Sequence, residues 1–281
     1  DEDIVKVHVH TLKPGNALNI AQRFGEFVKL KIENMQEQAD TIQSNAGTIV
    51  GVDDNAKPKR EAKETAVISV CAGDGLKDAF LELHCDYVVS GGQTMNPSAE
   101  DMVQAVRDVN AKNVIILPNN SNIVMTAQQT ATILEDEVNV IVIPTKTIPQ
   151  GLSACIMFNP DASLDDNVAE MTEAVGNVKT GQVTFAIKDT NIDGVEIKAN
   201  DYMALVEKDI VACKDNKLKA LKVVLEKLVD EDAELITLIY GEDVNDDDIE
   251  EIESFVEDNF EAELEVVNGK QPVYSFIVGV E

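Results

Sequence analysis

From Thr65 to Ile143 the chain keeps a strict alternation. Short runs rich in Val, Ile and Leu at 67–71, 86–89, 113–117 and 138–143 are separated by stretches with helical spacing at 75–83, 98–109 and 123–134. Repeated strand–helix alternation buries its apolar faces as a parallel sheet with right-handed crossovers, since each helix must carry the chain back to the same end of the sheet. All strand-to-helix loops then lie at the carboxyl edge, where ligands of open α/β sheets gather. Four such loops are polar and rich in Gly or Pro: Ala72-Gly73-Asp74-Gly75, Val88–Ser98, Leu117–Asn122 and Pro144–Gly151. The second runs through two glycines into Ser98-Ala99-Glu100-Asp101, a helix-capping sequence.

The flanks read differently. Ile4–His10 alternates at period two, as a half-exposed strand does. Lys13-Pro14-Gly15 breaks it, and a helix is predicted over 16–24 with Ala17, Ile20, Ala21 and Phe24 on one face. A strand at Phe27–Ile32 and a polar helix at 34–44 complete a β-α-β unit too small to stand alone. The chain opens on an aspartate almost inside a strand, so residues 1–47 are expected to be the tail of a domain cut from a longer protein. Residues 48–64 have no period and read as a linker. The alternating region, extended by helices at 152–158 and 164–175, forms a parallel lobe over 65–178. An α+β lobe follows over 179–281. There a hairpin is expected between Gln182–Ile187 and Val195–Ile197, and another between Tyr202–Val206 and Ile210–Ala212. Helices 218–228 and 244–260 and strands 235–240, 262–267 and 273–278 finish the chain.

A formal net charge of -29 repels phosphate backbones and anionic headgroups, and no basic patch offsets it, so nucleic acid and membrane-surface partners are not expected. No run reaches the length of a membrane span. Cys71, Cys85, Cys155 and Cys213 sit singly in or beside apolar runs without metal-type spacing, which predicts reduced thiols and a cytoplasmic location.

Three features could carry chemistry. His8 and His10, two apart on a strand, project from one face and can converge on a metal, or are simply an exposed polar pair. Gly73 and Gly75 could cradle phosphate or serve a tight turn; no phosphate-binding loop motif is present. Thr94, Asn96, Ser98, Asn119, Asn120, Ser121, Thr145 and Thr147, with Lys146 for charge, could fix a carboxylate or phosphoryl group at helix N-termini, or merely cap those helices. His84 falls at a helix end, so no Ser-His or Cys-His pair is visible. The segment Glu242–Glu265 is dense in carboxylates without one basic residue, and reads as a solvated helix face that leaves a basic partner surface open.

Taken together, VHVHTLKPGNAL, VISVCAGDGL, VVSGGQTMNPSAEDM, ILPNNSNIVMTAQQ, VIPTKTIPQGLSA and LITLIYGEDV resemble the middle and C-terminal regions of the A-type component of bacterial fatty acid kinase, a dihydroxyacetone-kinase-like family. The resemblance covers essentially the whole chain. It implies an α/β protein in which a β-α-β fragment precedes a DegV-like two-lobed domain. The family's N-terminal domain, which takes ATP and magnesium, has no counterpart here, so this chain alone is expected to be inactive. The resemblance also implies that His8 and His10 join a cysteine lying before Asp1 to hold zinc in the intact middle domain. The implied role is to dock a fatty-acid-binding DegV-like protein subunit for ATP-dependent phosphorylation of the fatty acid carboxylate. The alternative is a DegV-like lipid or small-anion binding module acting through its own loops. Homodimer formation is left open.

Overall fold

The computed structural model describes residues 14–25, 62–92, 95–192 and 194–281. Two compact units, Asp1–Lys57 and Pro58–Glu281, are considered separately. Within the first, helix α1 spans Pro14–Ala21. It stops short of Phe24, which therefore does not share the helical face predicted for it. The strands expected at 4–10 and 27–32, the helix at 34–44, and His8 and His10 lie outside the described residues.

In the second unit, β1 (Lys63–Cys71), β2 (Tyr87–Ser90), β3 (Ala111–Leu117) and β4 (Asn139–Val142) form an all-parallel sheet in the order β2-β1-β3-β4. β1 is central and buried along most of its length, as its near-continuous apolar run requires. Helix α2 (Asp74–Glu82) crosses one face, and α3 (Ala99–Val109) and α4 (Ser121–Ile133) cross the other. The chain therefore reverses direction across the sheet between β1 and β3, which is its topological switch point. Asn110 ends α3 at φ 52, a left-handed residue that lets the chain turn at once into β3.

Helices α5 (Ile148–Met157) and α6 (Leu164–Asn177) lead to a second sheet. Its strands are β5 (Lys179–Phe185), β8 (Tyr202–Val206), β9 (Asp209–Lys214), β10 (Leu235–Tyr240), β11 (Glu263–Asn268) and β12 (Tyr274–Val280). They are ordered β11-β10-β12-β5-β8-β9; β10 and β11 are parallel and the other neighbours antiparallel. Helices α7 (Lys217–Leu228) and α8 (Asp246–Asn259) cover one face.

One hairpin differs from its prediction. Val195–Ile197 (β7) pairs with Thr190–Ile192 (β6) in a separate two-stranded sheet, turning at Gly194 with φ 86, while β5 pairs with β12 and β8. The Gln182–Ile187 run carries buried residues on both faces of its strand, so it takes an interior place in the sheet. The shorter, exposed segments are left to pair with each other. Asp189 Oδ1 accepts the Ala199 N–H at 2.7 Å and ties the base of this small hairpin.

Side-chain alternation explains how the lobes join. Val67, Cys71, Ile115 and Leu117 from the first sheet and Ile239 and Ile277 from the second pack on α2, α5 and α6, which lie between the sheets. The even-numbered partners Ile68, Ile116, Leu238 and Val278 point to the outer helices. The layers are thus α3/α4, first sheet, α2/α5/α6, second sheet, α7/α8. Cys71, Cys85 and Cys155 are buried in the shared core, and burial pushes the Cys71 thiol up to about 12.

Candidate functional site

The four polar loops do fall on one edge, because β1 to β4 are parallel neighbours. What stands at that edge is decided by Asn119. It sits at φ 55, a conformation Asn tolerates well, two residues after β3. Its side chain reaches back over the switch point, where Nδ2 donates to Ser69 Oγ at 2.8 Å and to the Val70 carbonyl at 3.0 Å. Its own N–H donates to Thr145 Oγ1 at 2.9 Å, and Thr145 is fully buried. Asn119 Oδ1 has no hydrogen-bond partner and lies against Gly151, where a Cβ would come within 2.1 Å of it. The crevice between β1 and β3 is therefore filled by protein.

The other predicted residues mostly cap. Ser98 and Asp101 form a reciprocal capping box at α3. Asn120 Oδ1 accepts the Asn122 N–H at 2.9 Å at the start of α4, while Ser121 is exposed. Thr147 caps α5 through the Gln150 N–H and also meets Thr180 Oγ1 at 2.9 Å, across in the second sheet. The Lys146 N–H donates to Gln150 Oε1, and the residue is exposed, as is Asn96. Thr94 lies outside the described residues. The structure thus unites Asn119 with Thr145, and Thr147 with the second lobe.

The Gly73–Gly75 turn is occupied as well. Gly73 takes φ 111, and the Leu76 N–H at the start of α2 donates to the Gly269 carbonyl at 3.0 Å. A Cβ on Gly75 would stand 1.8 Å from the Asn268 carbonyl oxygen. These glycines let the β11–β12 connection lie directly on the β1–α2 loop, so they join the lobes. Gln271, buried at 3%, anchors that connection by donating from Nε2 to the Ile239 and Tyr274 carbonyls.

An open space lies elsewhere. A groove of about 900 Å³ runs between α2, α5, α6 and the β10–β11 edge, with Leu152, Ile156 and Met157 among its apolar lining. Its lining holds six acidic residues, Asp78, Glu82, Glu170, Glu173, Glu265 and Glu281, and one lysine, Lys270. Desolvation raises the Glu281 carboxyl above its ordinary value and the Glu265 charge raises it further, against a hydrogen bond from Ser153. Such a lining opposes an anionic headgroup and favours a cationic one. The sequence reading missed this groove because its walls come from distant segments; the like-charged pair Asp78 and Glu82, four apart on one helix, was the available signal.

A parallel four-stranded sheet joined to a mixed six-stranded sheet through one helical layer is the fold of DegV-type proteins. A Thermotoga maritima structure titled as revealing fatty acid binding function superposes with a TM-score of 0.57 at 12% identity, covering 78% of this chain and 99% of that one. Dihydroxyacetone kinase of C. freundii superposes with a TM-score of 0.57 at 12% identity, covering 90% of this chain and 57% of that one. The model of the FakA-like (fatty acid kinase A-type) C-terminal domain matches residues 66–281, and that of the FakA-like middle domain residues 1–42, so the chain belongs to this family. Protein YloV of Bacillus subtilis is 45% identical over 282 residues, covering 100% of this chain and 50% of the relative. The chain thus spans about half the length of the curated relatives it matches.

Proposed function

We propose that this chain is the non-catalytic C-terminal part of a cytoplasmic fatty acid kinase A-type subunit. It docks an acyl-loaded, DegV-like fatty-acid-binding protein, and ATP phosphorylates the fatty acid carboxylate at a kinase domain elsewhere in the whole protein. The observation that carries this reading is the closed carboxyl edge. The fold is kept, but Asn119 fills the switch-point crevice and Gly269 to Gln271 cover the glycine turn beside it. A fold retained with its switch-point edge closed, and with its remaining groove lined by carboxylates that oppose a fatty acid headgroup, fits a surface role better than direct lipid capture. Phosphoryl transfer needs metal-held triphosphate and groups that stabilise the transferring charge, and the caps at α3 and α4 already use N–H groups that would otherwise face a phosphate.

The second reading is a lipid or small-anion binding module acting through 94–98, 119–122 and 145–147, favoured by the fold shared with the Thermotoga maritima protein. Native mass spectrometry of this chain mixed with an oleate-loaded DegV-like protein separates the two. Docking predicts a complex whose oleate stays with the partner. Oleate transferred to this chain, without a complex, would favour the second reading.

A further inference from the structure

β11 ends the second sheet, and among the described residues one of its edges faces no strand. The Glu263 and Gly269 N–H groups bond to the Glu234 and Tyr240 carbonyls beside them, so odd-numbered residues of β11 point their backbone toward β10. Those of Leu264 and Val266 point outward. Among the described residues no backbone hydrogen bond meets that outward edge.

Both flanks of this edge are hollow. On one side is the groove of about 900 Å³, which Glu265 and Val267 help to line. On the other is a shallower one of about 440 Å³ between β11 and α8, with Val256, Phe260 and Leu264 in its lining. It carries Glu253, Glu257 and Glu261 and no basic residue. The two linings together hold far more acid relative to base than the 52 acidic and 23 basic residues of the chain as a whole.

These carboxylates are also uncompensated. Asp78 and Glu82 on α2, Glu170 and Glu173 on α6, and Glu253 and Glu257 on α8 are like-charged neighbours at helical spacing, an arrangement that costs stability. None of them makes an ion pair among the described residues. The opposite side of α8 behaves otherwise, since Asp248 pairs with Lys217 at 2.8 Å and Glu251 with Lys222 at 2.7 Å. Charges placed only to protect an exposed edge need no apolar floors beside them. Here both grooves have apolar floors and unpaired acidic rims.

We propose that the outer edge of β11 takes an extended, lysine- or arginine-bearing segment of a partner protein as an added strand of the second sheet. Successive side chains of an added strand point alternately to the two faces, so apolar residues reach both floors and basic residues meet both rims. The proposal deepens the docking reading, which it needs only to say which protein supplies the strand. The edge itself is tested without kinase or lipid.

The probe is a fluorescent nine-residue peptide in which lysine pairs alternate with valine pairs, so that both residue types fall on each face of the strand, titrated into the chain by anisotropy at physiological salt. Its counterpart, N-methylated at three consecutive central residues, keeps every charge but loses donors along both backbone edges. We expect the N-methylated peptide to bind at least tenfold more weakly. Val266→Pro removes one outward donor at a place where an edge strand tolerates proline, and should weaken the unmodified peptide at least tenfold. Glu257→Lys with Glu265→Lys should do the same, whereas Glu196→Lys with Glu135→Lys, an equal charge change at exposed sites on the β7 strand and after α4, should alter binding less than twofold. Should Val266→Pro fail to fold, the N-methylated peptide and the paired reversals still decide. Equal binding of both peptides, equal loss from both pairs of reversals, or no binding at all would overturn the proposal.

Discussion

Gly75→Ala should destabilise the second unit by about 4 kcal/mol and lower its melting temperature by about 10 °C, although the same change in an open helix position is stabilising. Gly75 is the second residue of α2, where alanine is the better helix former. The added methyl would lie 1.8 Å from the Asn268 carbonyl oxygen and 3.0 Å from the Gly269 carbonyl carbon, both backbone atoms. Relieving that contact moves the β11–β12 connection away from α2 and breaks the Leu76 to Gly269 hydrogen bond of 3.0 Å. Gly176→Ala is the matched control. It lies within α6, a Cβ there meets nothing within 4 Å, and it should stabilise by about 0.5–1 kcal/mol. Thermal and urea unfolding of both variants would check the opposite signs. A neutral Gly75→Ala would mean that the lobes are not joined at this contact.

The second large effect concerns the filled crevice. Asn119→Gly keeps the left-handed backbone free of strain, so its cost isolates the side chain. Losing the bonds to buried Ser69 and to the Val70 carbonyl should cost about 3 kcal/mol. Gly151→Ala should cost about 2–3 kcal/mol, because its methyl displaces a carboxamide that cannot swing away without giving up those same bonds. In the double variant the methyl enters space that Oδ1 has left. The two costs should then fall short of additivity by at least about 1.5 kcal/mol. Strict additivity in urea unfolding would show that the two residues do not share this space.

These contacts mark where the sequence stops being informative. The first sheet was legible because its strands are near-continuous apolar runs bounded by Gly, Pro and capping residues, a pattern that local chemistry enforces. Strand β6 was not, since Thr190-Asn191-Ile192 is short and polar and becomes a strand only by pairing with β7. The shared edge of the four loops followed from the alternation alone. Its closure did not: Asn119 reaches Val70 across 49 positions, and the residues covering the glycine turn come from the far end of the chain. Capping was one of the two readings open for Ser98, Asn120 and Thr147, and they do cap. Apart from the Asp78 and Glu82 pair, the acidic groove left no mark in the sequence, because α2, α6, β11 and the last residue, Glu281, supply its carboxylates from separate segments.

The most direct measurement of the proposed docking role is a titration of this chain into a reconstituted reaction holding the whole kinase subunit, its oleate-loaded binding protein, ATP and magnesium. Docking predicts that acyl phosphate formation falls as the chain is raised, that the KM for ATP stays constant, and that oleate added without the partner does not bind the chain. Undiminished acyl phosphate formation together with tight oleate binding by the chain would contradict it.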